Sequence, residues 1–463
     1  MYSCFFFKQD DPVLSSSAIQ LLAFGLSQYA TILRAAIITA MQRLQDLRTT
    51  ISFSEQLELF ILMPLRAFCA ANVNKTITLV IDALNECPPN ILPEILRAFR
   101  HMGPLLPKNV KLFVTSRPQR DIAAVMEALT CKRLHISLAQ DDGDLERFLK
   151  YQLTQIRFIN QLQDSWLDDA VARDARALAN KAYGLFQWAV VACALVEKRY
   201  SPRDVIKRIL TLKSSENPEV NLDRLYTESL YLVFPDAGCD PELKHMYTEV
   251  VGAIIAAKEP LGVPALSELL EVEIAKIDRL LLDLGCVISL EFERGTRVAH
   301  IAHPSFFDFL TDNTRCTISV FSIDIFDAAE RLSLHCFNLT GKVLKCNITD
   351  AGRPELDNSD IPVNLDRHLP ESLRYSCRFA LVHTGTLKSK TAKVLLALDQ
   401  FLNTKLLEWI EVMSLLKLVD TAAFILRSFC NTLIPVGSPV NQLTKHLFSC
   451  PGRGARTSAG DIA

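Results

Sequence analysis

The fold class of this chain is decided by the stretch Thr78-Leu-Val-Ile-Asp82-Ala-Leu-Asn85-Glu86-Cys87, an apolar run that ends in an aspartate. A second apolar run, Lys111-Leu-Phe-Val-Thr-Ser-Arg117-Pro118, ends in a polar tip that carries an arginine. Short apolar runs of this kind are typical of buried strands in a parallel sheet. Because doubly wound sheets bind ligands at the carboxyl ends of their strands, the two runs predict an α/β sheet with a site at that edge.

The polar groups at the two strand ends suit a nucleotide site. In nucleotide-hydrolysing enzymes an aspartate after a buried strand holds Mg²⁺, and nearby carboxylates polarise the attacking water. Asp82, Glu86 and Arg117 are therefore the candidate site residues, with Asp82 as the candidate metal ligand. The alternative for the two carboxylates is a capped turn at a strand end, and the alternative for Arg117 is an ion pair with a surface acid.

A nucleotide site of this kind also needs a glycine-rich loop with a Lys-Ser/Thr pair, and the sequence contains no G-x-x-x-x-G-K-[ST]. The nearest candidate is Gly341-Lys342, which has Cys336 in place of the first glycine and Val343 in place of the hydroxyl residue. Without the backbone N–H cradle and the lysine, most of the phosphate-binding energy is missing. The sequence therefore predicts weak nucleotide binding at most.

Composition excludes several classes of partner. The 463 residues are 49% hydrophobic and 22% charged, which is typical of a soluble globular protein with two to four domains. Lys+Arg 50 against Asp+Glu 52 leaves a formal net charge of -2, so no general attraction to nucleic acid or to anionic membrane is expected. The sequence shows neither a secretory signal nor an uninterrupted bilayer span. We expect a cytoplasmic protein.

Cysteine and histidine spacing gives no zinc motif. The 13 cysteines include no Cys-x-x-Cys pair, which favours reduced, buried thiols. His300 with His303, and His335 with Cys336, could ligate a metal, but they lack the four-ligand spacing of zinc sites. The alternative for His303 is a core histidine, since phenylalanines surround it in the sequence.

The pattern of apolar residues divides the chain into five segments. Residues 1–140 alternate strands with helices, the strands being predicted at Tyr2 to Phe7, Ile77 to Ile81, Val110 to Thr115 and Arg133 to Leu138. Residues 141–235 form a helical domain that follows Asp141 as its predicted N-cap. Residues 242–312 have the helices and the two-stranded wing of a winged helix, residues 325–435 are helical, and residues 436–463 are a predicted disordered tail. The expected recognition helix, Glu271-Val-Glu-Ile-Ala-Lys-Ile-Asp278, is acidic, which argues against DNA binding.

Eight stretches occur in a fixed order along roughly residues 1 to 430: Ser3-Cys-Phe-Phe-Phe-Lys-Gln-Asp-Asp-Pro12, Leu79-Val-Ile-Asp-Ala-Leu-Asn-Glu-Cys87, Lys111-Leu-Phe-Val-Thr-Ser-Arg-Pro118, Ala182-Tyr-Gly-Leu-Phe-Gln-Trp-Ala189, Leu225-Tyr226, His303-Pro-Ser-Phe-Phe-Asp-Phe-Leu310, Leu369-Pro-Glu-Ser-Leu-Arg-Tyr-Ser-Cys377 and Leu406-Leu-Glu-Trp-Ile-Glu-Val-Met-Ser-Leu-Leu416. Their order resembles that of the NACHT-type NTPases of fungal STAND proteins, which are incompatibility-type signalling ATPases related to innate immune receptors. Each stretch alone is weakly specific, and the ordered set is more so.

The resemblance implies an ATP/ADP-operated switch that opens for oligomerisation. Asp82 would be the Mg²⁺ aspartate of the Walker B segment, Glu86 an acidic partner that helps position water, and Arg117 the sensor of the γ-phosphate. His303 would resemble the winged-helix histidine that contacts the ADP β-phosphate in the resting state. Protein partners or self-association would follow from this class.

Two departures from the family pattern matter. The family places the Walker A loop before the phenylalanine-rich strand, which here opens the sequence, and Asn85 stands where a second aspartate is usual. The alternatives are thus a non-enzymatic scaffold or the product of an incomplete gene model, and in-frame DNA upstream of Met1 would separate them. A sheet truncated in this way would leave the apolar faces of Leu79–Ile81 and Leu112–Val114 uncovered, which predicts poor solubility or a partner chain.

Overall fold

The computed structural model of the protein describes residues 2–7, 18–47, 52–88, 91–117, 119–129, 131–134, 143–198, 201–235, 240–293, 295–350 and 365–432. The chain divides into two compact units, unit 1 (Met1–Ile136) and unit 2 (Ser137–Ala463). Each unit has its own cluster of buried apolar side chains.

Unit 1 contains the predicted parallel sheet. Strands β1 (Tyr2–Phe6) and β3 (Val110–Val114) pair on either side of β2 (Ile77–Asp82), and both pairs are parallel. The strand predicted at Arg133 to Leu138 is not confirmed, because Arg133 and Leu134 are not in a strand and residues 135–138 lie outside the described residues. The expected α/β sheet is therefore present, with three described strands.

The helices of unit 1 lie in the connections between the strands. Between β1 and β2 the chain forms α1 (Ala18–Ser27), α2 (Thr31–Leu47), α3 (Phe53–Leu57), a π-helical turn (Glu58–Leu62) and α4 (Met63–Ala71). Between β2 and β3 lies α5 (Leu92–Met102), and α6 (Arg120–Ala128) follows β3. Helix α5 buries Ile95, Leu96 and Phe99 on one face, as its helical spacing predicts.

The two faces of this sheet differ. Both connections step in the same direction across the sheet, and right-handed connections of that kind place their helices on one face. On that face Leu79 and Ile81 are 1% and 4% exposed, so the expectation that they would be uncovered is wrong, whereas Phe113 of the second run is exposed as expected. The opposite face carries Phe6 and Phe113, which are 60% and 57% exposed.

Unit 2 begins with five helices: α7 (Asp144–Ile159), α8 (Asp168–Ala182), α9 (Phe186–Glu197), α10 (Pro202–Thr211) and α11 (Pro218–Val233). The prediction of Asp141 as the first N-cap is wrong. The helix begins three residues later, and Gly143, with φ 81°, takes the N-cap position. Trp166 and Trp188 are fully buried in the core of these helices.

Three helices and a hairpin follow: α12 (Pro241–Ala256), α13 (Val263–Leu270), α14 (Ile274–Asp283), β4 (Ile288–Glu293) and β5 (Thr296–Ile301). The strands are antiparallel, with Ile288 opposite Ile301, and Gly295 at the turn has φ 84°. This positive φ is one that glycine adopts without strain. The recognition helix was predicted to begin at Glu271, but α14 begins at Ile274, so Glu271 lies before the helix.

The remaining secondary-structure elements in the described part of the chain are helices: α15 (Pro304–Thr311), α16 (Ile325–Val343), α17 (Leu365–His368), α18 (Glu371–Thr386), α19 (Ala392–Thr404), α20 (Leu406–Leu415) and α21 (Val419–Thr432). Gly341-Lys342 lies inside α16, which agrees with its rejection as a phosphate loop. The tail predicted at 436–463 lies outside the described residues.

Candidate functional site

Asp82, the last residue of β2, is held by the end of the neighbouring strand. Its Oδ1 accepts a hydrogen bond from the hydroxyl of Thr115, the residue directly after β3. The Thr115 hydroxyl oxygen in turn accepts the backbone N–H of Ala83 at 2.9 Å, and the backbone N–H of Thr115 donates to the carbonyl of Ile81 at 3.0 Å. Thr115 therefore joins the two strand ends and fixes the carboxylate of Asp82.

The chain turns sharply after Asp82. Ala83 has φ 54°, in the left-handed region that residues with a Cβ atom seldom occupy, and Leu84–Glu86 form one 3-10 turn. Strained backbone of this kind is concentrated at functional sites. The turn places the side-chain oxygen of Asn85 at 2.9 Å from the backbone nitrogen of Arg117, which donates to it.

The three residues predicted from the strand ends lie at the same edge of unit 1. Asp82 and Glu86 are half-buried, whereas Arg117 is exposed. Thr115 was missed as a site residue, because only the register of the two strands places it beside Asp82. Ile81 pairs with Val114, so the next residues in each strand direction, Asp82 and Thr115, are level with each other.

The residues at this edge fit a divalent cation better than they fit a triphosphate. A carboxylate and a hydroxyl are oxygen ligands of the kind that Mg²⁺ prefers. A phosphate cradle needs backbone N–H groups that are open to the ligand. Here the N–H groups of Ala83 and Leu84 donate to the two oxygens of Thr115, and that of Arg117 donates to Asn85.

His303, the fourth predicted residue, belongs to unit 2 and caps the amino terminus of α15. Its Nδ1 accepts the backbone N–H of Ser305 at 3.1 Å and lies 2.7 Å from the Ser305 hydroxyl oxygen. A neutral ring nitrogen that accepts an N–H bond carries no proton, so this geometry assigns the ring proton to Nε2.

The network around His303 continues to α11. The Tyr226 hydroxyl lies 2.8 Å from the hydroxyl oxygen of Ser305, and the side chain of Gln187 lies near the phenol. Burial raises the pKa of Tyr226 to about 12. Gln187, Tyr226 and His303 come from three of the stretches that carry the family resemblance. Their meeting gives those stretches a shared place in the fold, which the sequence did not predict.

The histidines considered as metal ligands have carboxylate partners. His300 Nε2 lies 3.0 Å from Glu293 Oε1, and His335 Nε2 lies 2.9 Å from Glu249 Oε2. Among the described residues, Glu291, Glu293 and His300 offer ligand atoms within 4.8 Å of one another. The hydrogen bond between His300 and Glu293 accounts for the arrangement without an ion.

The described helices include none that combines the length and the apolar character required for crossing a bilayer.

Comparison with known proteins supports a NACHT-like protein at the level of the family resemblance. Residues 1–117 match the family model described as Nephrocystin 3, N-terminal. The chain is also 25% identical over 370 residues to the vegetative incompatibility protein HET-E-1 of Podospora anserina. The matched region covers 73% of this chain and 25% of that protein, so the chain corresponds to about a quarter of the length of the curated relative.

Proposed function

We propose that this chain is a NACHT-type STAND signalling protein, of the fungal incompatibility kind, whose ATP/ADP switch is impaired in nucleotide binding. The observation that carries the proposal is the strand-end arrangement in unit 1. There Asp82 is fixed by Thr115, and a left-handed turn places Asn85 on the backbone of Arg117. The similarity to a vegetative incompatibility protein supports the signalling class.

The roles are those that the family resemblance implies, and the chemistry of each group suits them. Asp82 would hold Mg²⁺, whose charge would neutralise the phosphates, and Glu86 would orient a water. Arg117 would read the γ-phosphate end as a charged donor. His303 would donate its Nε2 proton to a phosphate oxygen of ADP in the resting state.

The proposed domains are a NACHT α/β domain at 1–140, a helical domain at 141–235, a winged helix at 242–312 and a helical segment at 325–435. The antiparallel β4–β5 hairpin that follows α13 and α14 supports the winged-helix assignment. The proposed compartment is the cytoplasm, and the proposed partners are proteins or further copies of this chain.

Impairment is proposed for two reasons. The backbone N–H groups at the strand ends are engaged within the protein, and the sequence has no G-x-x-x-x-G-K-[ST] to supply others. In addition, the amide of Asn85 cannot act as a base. Hydrolysis should therefore be weaker still than binding.

Calorimetric titration of the purified chain with ATP and ADP in the presence of Mg²⁺ tests the proposal. Wild type, Asp82→Asn and His303→Ala are compared, with Asp121→Asn and His101→Ala as exposed controls in unit 1. We expect binding no tighter than about 1 mM, equivalent to about −4 kcal/mol. Binding that weakens in the two site variants and not in the controls would support the site.

The titration also shows where the proposal fails. Micromolar affinity that depends on Asp82 would establish the switch and contradict the impairment. Binding that is unaffected by both site variants would remove the assigned roles.

A non-enzymatic scaffold is the second candidate. The observation that favours it is the exposed sheet face, where Phe6 and Phe113 present aromatic rings on a parallel sheet, a structure that normally buries both faces. A scaffold predicts no nucleotide binding together with protein binding through this face. Capture of a protein partner by the wild-type chain, and its loss when Phe113 is mutated, would test it.

A further inference from the structure

The hydrogen bonds around Ser305 run in a single direction. Because His303 Nδ1 accepts the backbone N–H of Ser305, it also acts as the acceptor for the Ser305 hydroxyl. The Ser305 hydroxyl donates its only O–H to Nδ1, so its oxygen acts as the acceptor for the Tyr226 hydroxyl at 2.8 Å.

Burial removes the alternatives to this arrangement. Tyr226 is 0% exposed and Ser305 is 8% exposed. The tyrosine ring packs against Phe306 and Phe309, with ring centroids 5.0 Å and 5.4 Å away. Polar groups that lack water as a competing partner form rigid networks when every member is satisfied.

An ion pair one turn away holds the same two segments together. Asp223, also on α11, accepts from Arg315 Nη2 at 2.7 Å and from its Nε at 3.1 Å. Two parallel bonds of this kind fix geometry as well as charge. This pair therefore also restrains α11 against the chain that follows α15, independently of the network.

We propose that Tyr226 and Ser305 are positioning residues that hold the imidazole of His303 in the Nε2–H form, with Nδ1 committed to the network. Tyr226 acts only through Ser305, which orients the ring directly. The consequence for nucleotide rests on the proposed function, since Nε2–H would then be the donor that meets a phosphate oxygen. The positioning itself does not depend on that function.

Nitrogen NMR of the full chain with ¹⁵N-labelled histidine tests the positioning. The protonated and unprotonated ring nitrogens of a neutral imidazole have widely separated shifts, so the spectrum reports the tautomer. The chain has nine histidines, and His303→Gln identifies the signals of His303 by their loss. In wild type at pH 8 we expect an unprotonated Nδ1 and a protonated Nε2.

Two variants separate positioning from general stability. Ser305→Ala removes one of the two donors to Nδ1, and we expect the tautomer ratio to move about fivefold toward Nδ1–H. Tyr226→Phe keeps the ring packing and removes the phenol that orients the Ser305 hydroxyl, so the expected movement is about twofold in the same direction.

The controls are matched to each variant. Ser229→Ala is the control for Ser305→Ala, because it removes a buried hydroxyl on α11 that donates to the carbonyl of Leu225 at 2.7 Å. Tyr247→Phe removes a buried phenol that donates to the carbonyl of Phe321 at 3.0 Å. Both should lower stability to a similar degree and leave the His303 shifts unchanged.

The proposal is overturned if wild-type His303 carries its proton on Nδ1, or if neither variant moves the ratio. Should Ser305→Ala fail to fold, Tyr226→Phe decides alone. ADP titration of the same variants distinguishes failure of the positioning proposal from failure of the proposed nucleotide function. Shifts that move as expected in a chain that binds no ADP would retain the positioning and reject the nucleotide function.

Discussion

Acid should destabilise unit 2 through His383, a histidine that is 0% exposed on α18. Its Nε2 lies 2.8 Å from the hydroxyl oxygen of Tyr375, which also accepts the backbone N–H of Lys258 at 3.1 Å. Burial, and secondarily the charge of Lys258, lowers the pKa of His383 from 6.5 to about 3. The folded protein thus holds a neutral imidazole that the unfolded chain would protonate.

The magnitude follows from proton linkage. A histidine with a lowered folded pKa contributes its full stability above the unfolded pKa of 6.5, and this contribution is lost as the pH falls toward the folded value of about 3. At pH 5, which is about 1.5 pH units below the unfolded pKa, protonation of this histidine stabilises the unfolded state by about 2 kcal/mol. That loss barely depends on the folded pKa, because pH 5 remains above it.

Urea unfolding followed by tryptophan fluorescence measures this effect. All three tryptophans, Trp166, Trp188 and Trp409, lie in unit 2, so the signal reports that unit alone. Between pH 7.5 and pH 5 the free energy of unfolding should fall by about 2 kcal/mol more in wild type than in His383→Gln, whose amide can still hydrogen-bond to Tyr375. His368→Gln is the control, since it removes a histidine outside this network. Parallel pH curves for wild type and His383→Gln would refute the reasoning.

Three further perturbations have defined outcomes. Lys181→Met should lower the free energy of unfolding of unit 2 by about 2 kcal/mol in urea titrations, because the buried Nζ donates to the carbonyls of Leu210 and Leu212 at the end of α10; an unchanged midpoint would contradict this. Asp223→Asn should cost about 2 kcal/mol by breaking the bidentate pair with Arg315, and an Asp223–Arg315 double-mutant cycle without coupling would argue against it. Phe113→Ser should raise solubility and change the thermal midpoint little, since the ring is 57% exposed, whereas Leu79→Ser should unfold unit 1; equal destabilisation by both would show that the open face is covered.

Elements that depend on local pattern could be predicted from the sequence. The strand before Asp82 and the strand before Arg117 were predicted within a residue of their observed ends, because a buried parallel strand needs a continuous apolar run and a polar tip. Helix α5 was predicted from its apolar face alone. The strand expected at Arg133 was wrong at its first two residues, since short apolar runs do not reveal whether a neighbouring strand is there to pair with.

Features that depend on register could not be predicted. Thr115 became a partner of Asp82 only when β2 and β3 were aligned, and Ser305 joined Tyr226 to His303 only when α11 packed against α15. Thr115 is 33 residues from Asp82 and Ser305 is 79 residues from Tyr226, so neither contact could be read from spacing along the chain. The roles of Thr115 and Ser305 are thus properties of packing and not of sequence spacing.

The open sheet face and the strand-end site of unit 1 are not independent. Paired residues of a parallel sheet share a face, and Phe6 is the register partner of Asp82. Val80 and its partner Phe113 lie on that same face, two residues further from the edge. A protein layer that buries Phe6 would therefore also come close to the carboxylate of Asp82 and lower its access to water. It follows that a partner on this face would change cation binding at Asp82, so the scaffold and switch functions should be linked and not alternative. Mg²⁺ titration of the wild-type chain with and without a captured partner measures that linkage, and identical affinities would reject it; Phe113→Ser, which should no longer bind the partner, is the control.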